Sequence, residues 1–351
     1  MFIIDLDSPP SKRWTELITF YKKPCQLVFK TLSKMIDNPL LSTIGYAVIN
    51  QFVASDKIMY REELQSIAKI LEIKLEKLVL AQLCYEMAAA CTTVVVGGTM
   101  FRTMDWPLDC LKQVTCLLEF RKGGKTVFKA VSWAGHVGVL TGMLPGSYSM
   151  AVNYRRSNGT IIDNVERAMT LAWPIGYLCR DILENSETYD EARRRLKDSR
   201  LISPCYVVMC NTVEDSIARR QVQLANLLSR AASSSVNLPE GIRTQSGQGS
   251  KRQGNGKGKS HTITRDAETC VKCLTTDNYL IQTNKDYKVE SKDNILFSIE
   301  REKLARGLVK SGCEMDELKQ FPIINGETIY VCVLKPVEGE LIVEIDGKLI
   351  E

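Results

Sequence analysis

The chain has 351 residues, 44% of them apolar and 25% charged, proportions that exclude a disordered, collagen-like or multi-spanning membrane protein. Its net charge of +5 comes from one stretch: between Arg230 and His261 six basic residues stand against one acid, and the rest carries 40 of each sign. A neutral body offers no basic groove, so no nucleic-acid partner is expected. Twelve cysteines are far too few for a disulfide-stapled scaffold of this length. Most lie in apolar runs (Cys84, Cys116, Cys179, Cys205, Cys332), where a reduced cysteine acts as a small hydrophobe. The opening residues lack the basic and apolar regions of a signal peptide. The sequence as written is therefore expected in the cytoplasm, or in the lysosome if a leader has been removed.

In chain order, the first ninety residues read as helical. Apolar positions recur at helical spacing over 14–36, and further helices are expected over 41–53, from about residue 60, and over 75–89. The period changes at Cys91: CTTVVVGGTMFRTMDW is β-branched before Gly97 and Gly98 and continues extended beyond them, the pattern of a hairpin. Strands are expected over 114–121, 126–134 and 148–154. A helical stretch follows over 163–185, with Pro174 kinking or splitting it. Another helix is expected at 189–197 and a strand at 206–210. From about 230 to 261 the composition collapses to Ser, Gly, Gln, Lys, Arg and Asn, which reads as a disordered basic insertion. Strands return at 262–265, 279–283 and 328–335, with a helix over 299–309.

The chain is poor in histidine, with only His136 and His261. His261 falls in the insertion, and His136, within GHVGVLTG, reads as structural. There is no P-loop, GxGxxG or HExxH, and Cys270 and Cys273 form one isolated CxxC pair, so neither a metal nor a cofactor is expected. Hydrolysis without histidine needs another base. One solution is an N-terminal Cys, Ser or Thr whose own α-amine accepts the nucleophile's proton. An α-amine titrates near pH 7.7–8.0 and is partly neutral at physiological pH. An internal cysteine acquires such an amine only if the peptide bond before it is cut. Here the period change falls at the bond between Ala90 and Cys91, after three small alanines.

Cys91, Thr92 and Thr93, followed by the Arg-x-x-Asp of Arg102 and Asp105, resemble the nucleophile region of the choloylglycine-hydrolase-like N-terminal-nucleophile (Ntn) hydrolases. The resemblance is closest to the family of acid ceramidase and N-acylethanolamine-hydrolysing acid amidase, and within it to acid ceramidase. It runs through IDLDSPPSKRW, GVLTGMLPGSYSMAVNYR, DILENSETYDEA, TITRD and IQTNKDY, in that order. Taken singly, these residues have plainer readings: Cys91 as a buried hairpin cysteine, Arg102 with Asp105 as an ion pair, Asn153 and Asn284 as turn residues.

The resemblance implies an α+β fold, a four-layer αββα Ntn-hydrolase core with a helical N-terminal segment. It implies a division into 1–90, alpha-subunit-like, and 91–351, the beta-subunit-like catalytic domain. Cys91 becomes the self-cleavage site and the nucleophile, Arg102 contacts it, and Asp105 orients the new amine. Asn284 serves as the oxyanion donor, Asn153 and Arg301 as further substrate or oxyanion contacts, Arg301 on a poor local match. The implied reaction is hydrolysis of the amide of an N-acylated lipid such as ceramide. An N-acylethanolamine, bile-amide or acyl-lysine deacylase is the alternative, and a catalytically retired lipid- or protein-binding module is the rival from another class. The implied partners are the lipid substrate, a membrane or lipid surface, and the two self-cleaved chains held to each other. Departures from the family are a shorter hairpin after Cys91, Tyr154 where acid ceramidase has Glu, and the basic insertion.

Overall fold

The computed structural model describes residues 1–36, 58–83, 90–156, 161–170, 172–211, 260–276, 279–286 and 294–350. The helix expected over 41–53 and most of the basic insertion lie outside the described residues.

The N-terminal segment opens on a strand, β1 (Phe2–Asp5), which pairs in parallel with residues 118–121. The all-helical expectation is corrected here: four residues are too few to carry a readable period, and a sheet edge 116 residues away decides their state. Helices α1 (Thr15–Phe20) and α2 (Lys22–Ile36) replace the single expected run. Pro24 explains the break, because it has no N–H to continue the ladder to the carbonyl of Phe20. Next come α3 (Arg61–Leu71) and α4 (Leu75–Gln82).

The hairpin forms as expected from β2 (Ala90–Val96) and β3 (Thr99–Asp105). Gly97 and Gly98 sit at φ +57° and +88°, the left-handed pair that a two-residue hairpin turn demands and that glycine adopts freely. Strands β4 (Thr115–Lys122), β5 (Lys125–Trp133), β6 (Thr141–Leu144) and β7 (Tyr148–Tyr154) follow. The helical stretch is split in two at Pro174, giving α5 (Ile161–Met169) and α6 (Ile175–Asn185). Helix α7 (Tyr189–Asp198) starts behind Thr188, whose hydroxyl accepts from the Glu191 N–H at 3.3 Å. The remaining elements are β8 (Cys205–Asn211), β9 (Ser260–Arg265), β10 (Cys270–Thr276), β11 (Tyr279–Gln282), α8 (Ser298–Lys310), β12 (Thr328–Lys335), β13 (Glu340–Ile345) and β14 (Lys348–Leu349).

His261 is a second correction. It lies in β9, buried and paired with Met209, and its Nδ1 meets the Tyr189 hydroxyl. The run of Thr262, Ile263 and Thr264 extends its strand two residues back into what composition assigned to the insertion. A buried polar ring persists there because it has a hydrogen-bond partner.

Two sheets result, ordered β1-β4-β5-β6-β7-β8-β9-β10 and β11-β2-β3-β12-β13-β14. Alternation along each strand sorts side chains by face. Val95, Met100, Met104, Cys332 and Leu334 point into the main core, shared with Ala151, Val207 and Met209 of the other sheet. Val94, Phe101, Val331 and Val333 point the other way and pack with Ala305 of α8, Leu318 and Ile323. Leu178 and Ile182 of α6 and Leu196 of α7 cover the eight-stranded sheet. Helix, sheet, sheet, helix is the αββα stacking expected.

Candidate active site

Register assembles the site. In the β2–β3 hairpin Ala90 pairs with Asp105, Cys91 with Met104 and Thr93 with Arg102. In β11–β2 Gln282 pairs with Thr93, so two positions further along Asn284 comes level with Cys91. On the facing sheet β7 carries Asn153. The 3.3 Å step of a strand and its two-residue period then give the sides. Cys91, Thr93 and Arg102 look between the sheets, whereas Thr92, Thr103 and Asp105 look toward α8, where Arg301 lies.

All six residues singled out in the sequence meet here, and all are buried. Arg102 Nη2 donates to Cys91 Sγ at 3.4 Å, and its Nη1 donates to Asn153 Oδ1 at 3.0 Å. Asn153 Oδ1 also accepts from Thr93 Oγ1 at 2.7 Å. Its Nδ2 donates to the carbonyls of Gln282 and Cys91, at 2.9 and 3.4 Å. The side chain thus bridges the two sheets beside Cys91.

The amide of Asn284 is turned opposite to the expectation. Its Oδ1 accepts from the Cys91 backbone nitrogen at 2.8 Å and from Arg301 Nη2 at 2.9 Å. Its Nδ2 donates to the Tyr154 carbonyl at 3.0 Å. Two donors on one side and a carbonyl on the other fix which end is oxygen. Asn284 therefore offers the Cys91 nitrogen an acceptor and directs its own N–H groups elsewhere.

Arg301, the poorest match in sequence, is the hub. Its Nη1 donates to the Cys91 carbonyl at 2.8 Å, to Thr92 Oγ1 at 2.8 Å and to Asp105 Oδ2 at 3.5 Å. The carbonyls of Ile295 and Leu296 hold the other edge of the guanidinium, at 3.0 and 2.7 Å. Asp105 accepts from Thr328 Oγ1 at 2.8 Å and Thr103 Oγ1 at 3.2 Å. Burial nevertheless pushes its carboxyl up to about 6, against the pull of Arg301 and both hydroxyls. Burial likewise lowers Arg301, with Asp105 opposing.

Thr92, Thr93, Thr103 and Thr328 supply the hydroxyls that wire this centre. Thr92 and Thr93 entered the sequence reading only as neighbours of Cys91, and Thr103 and Thr328 only as residues of expected strands. The available signal was their placement: three of the four flank Cys91 or Asp105 within two residues. Among the described residues no group of three or more His, Cys, Asp or Glu is placed to hold a metal ion. Cys270 and Cys273 lie along one strand, β10.

The chain has relatives among known proteins. A family model described as the beta subunit of N-acylethanolamine-hydrolyzing acid amidase matches residues 1–51, within the segment labelled alpha-subunit-like above. An uncharacterised protein of Acanthamoeba polyphaga mimivirus is 28% identical over 348 residues, covering 93% of this chain and 94% of its own. Human acid ceramidase is 32% identical over 248 residues, covering 59% of each. Acid ceramidase of Heterocephalus glaber is 30% identical over the same share. The chain is thus similar to the acid ceramidases and, over residues 1–51, to the beta-subunit model of N-acylethanolamine-hydrolyzing acid amidase. It spans about three fifths of the length of these acid ceramidases. The solved N-acylethanolamine-hydrolyzing acid amidase ortholog of Caenorhabditis elegans superposes with a TM-score of 0.50 at 22% identity, over 70% of this chain and 93% of its own. That likeness shows the Ntn-hydrolase fold.

Proposed function

We propose that the chain is an Ntn cysteine amidohydrolase that cuts itself between Ala90 and Cys91 and then hydrolyses the amide of an N-acylated lipid, ceramide first among them. The observation that carries this reading is the double hold on Cys91: an acceptor on its nitrogen and a cation on its sulfur.

In self-cleavage Cys91 Sγ attacks the carbonyl carbon of Ala90. The C–N bond breaks as the acyl group passes to sulfur, and water then hydrolyses the thioester. Ala90 keeps a carboxylate and Cys91 gains a free α-amine. In turnover that amine, oriented by Asn284 Oδ1, takes the thiol proton as sulfur attacks the substrate carbonyl. It returns the proton to the leaving amine, and water releases the fatty acid from the acyl-thioester. Arg102 beside the sulfur favours its thiolate. Arg301 holds the Cys91 carbonyl still, and Asp105 balances the guanidinium. In the intact chain Cys91 is fully buried, so substrate reaches it only after the cut lets the new chain end move aside. Residues 1–90 and 91–351 then remain together as two chains.

Intact mass of the purified protein beside its Cys91→Ala variant tests the cut. Chains of 90 and 261 residues, about 10 and 29 kDa of the 39.4 kDa total, are expected from wild type only. If both stay whole between pH 4 and 8, self-processing is wrong. A head-to-head assay on ceramide, an N-acylethanolamine, a bile amide and an acyl-lysine peptide then ranks substrates. No turnover of any by the cut protein supports a retired binding module instead.

A further inference from the structure

If the chain is cut before Cys91, the backbone no longer ties residues 1–83 to the rest of the molecule. Three of the contacts between this segment and the rest of the molecule bear on how it is held. Strand β1 adds to the edge of the eight-stranded sheet. Gln82 clasps one loop, donating to the Gly135 carbonyl at 2.9 Å and accepting from the Val137 N–H at 2.8 Å. The third contact is ionic and lies deepest.

Arg180 of α6 and Glu63 of α3 are 0% and 1% exposed. They form a two-pronged pair, Nη1 to Oε2 at 2.6 Å and Nη2 to Oε1 at 2.8 Å. The segment finishes the carboxylate with Trp14 Nε1 at 2.6 Å and Arg13 Nη1 at 2.9 Å, and lays Tyr60 over the guanidinium at 4.1 Å. The body finishes the guanidinium with Glu184 at 2.7 Å and the Val137 carbonyl at 3.0 Å. Val137 is therefore gripped from both sides, its carbonyl by Arg180 and its N–H by Gln82.

We infer that the Arg180 socket is the recognition site for residues 1–83 as a separate subunit, with Glu63 as the group it reads. The proposal rests on the self-cleavage reading for its occasion, though not for its test. A buried ion pair is a poor source of affinity, since both ions regain water on separation and apolar residues of equal size bind as well or better. What it supplies is selectivity. A segment docked out of register, or an apolar helix from elsewhere, leaves a guanidinium buried without its carboxylate, which is strongly disfavoured. Half of the pair is then worse than none.

That asymmetry is the test. A protease recognition sequence written over residues 84–89 of the Cys91→Ala chain allows a clean cut whether or not the protein cuts itself. Retention of the small piece on dilution is read by native mass spectrometry, beside the self-cut wild type. Glu63→Gln and Arg180→Met are each expected to weaken retention at least tenfold, and the double Glu63→Met/Arg180→Met variant to return to within about threefold of the parent. Unchanged retention in the single variants overturns the proposal, and so does a double variant as weak as the singles, because the pair would then be mere adhesive. Arg180→Lys keeps the charge and loses the fork; it serves if a single variant fails to fold uncut, and is expected to weaken retention less than Arg180→Met. Equal retention by Arg180→Lys and parent also overturns it. A wild type that never cuts sinks the self-processing mechanism and leaves these outcomes standing.

Discussion

The molecule buries two carboxylates against arginines and treats them differently. Glu63 meets its guanidinium on both oxygens below 3 Å and collects two more donors, from Trp14 and Arg13. Burial works to raise its carboxyl, yet those donors hold it below the ordinary carboxylate range. Asp105 has its arginine at 3.5 Å and two threonine hydroxyls besides, and burial wins, lifting it to about 6. The arginines split the same way: Arg180 is pushed up by its partners and Arg301 is pushed down by burial. Equal burial thus gives one network that is saturated and one left short of compensation. The saturated network stores no reactivity and suits a joint. The undercompensated one keeps a proton and a charge easy to move, which is where perturbed groups do chemistry.

The sharpest way to break this contrast is Cys91→Ala, which is expected to abolish processing and to lower amide hydrolysis by about 10⁴-fold or more, measured on protein cut by an external protease. Arg301→Met comes next. It removes the hub and leaves Asp105 without its cation, and processing followed by intact mass is expected to slow by about 10²-fold or more. On the other side, Glu63→Ala is expected to destabilise the uncut chain by about 3–5 kcal/mol, read as a lower melting temperature. The reactive centre itself is left assembled. Equal effects of Glu63→Ala and Arg301→Met on processing would dissolve the distinction between the two networks.

The smallest effect expected is a pH dependence. Asp105 titrates at about 6 in the fold against an ordinary 3.8, so the folded state binds the extra proton between those values. Stability therefore falls as pH rises through that window and levels above it. Asp105→Asn, which mimics the protonated form, removes this loss, and Thr328→Val, which takes a hydrogen bond from the ionised form, moves the window upward. Glu63 has the opposite sign. Its contribution is present above the ordinary carboxylate value and is lost only as pH falls through its lowered one. Melting curves between pH 4 and 7 check the Asp105 window: wild type losing stability relative to Asp105→Asn as pH rises is the expected result.

Much of the scaffold was legible because its signals are local. The glycine pair at 97 and 98 fixes a hairpin, a hairpin fixes register, and register puts Arg102 opposite Thr93 with no further information. Pro174 divides two helices by the same short-range logic. What escaped depends on distant partners. Phe2–Asp5 becomes a strand because an edge awaits it, and His261 is buried because Tyr189 can bond it. Asn284 was found as a residue through resemblance, but its amide orientation depends on an arginine 17 residues on and a carbonyl 130 residues back. Arg301 reaches Cys91 across 210 residues of chain, a meeting that no local pattern encodes.

Strands β8 and β9 are antiparallel neighbours in which Cys210 pairs with Ser260, and the 48 residues 212–259 connect them. The two ends of that connection are thus held a few ångströms apart by the sheet itself. The register of β8 and β9 is set by their own pairing and by their neighbours β7 and β10, not by a tight turn between them. Length added to that connection is therefore expected to leave both strands, and the cysteine centre beyond β7, in place.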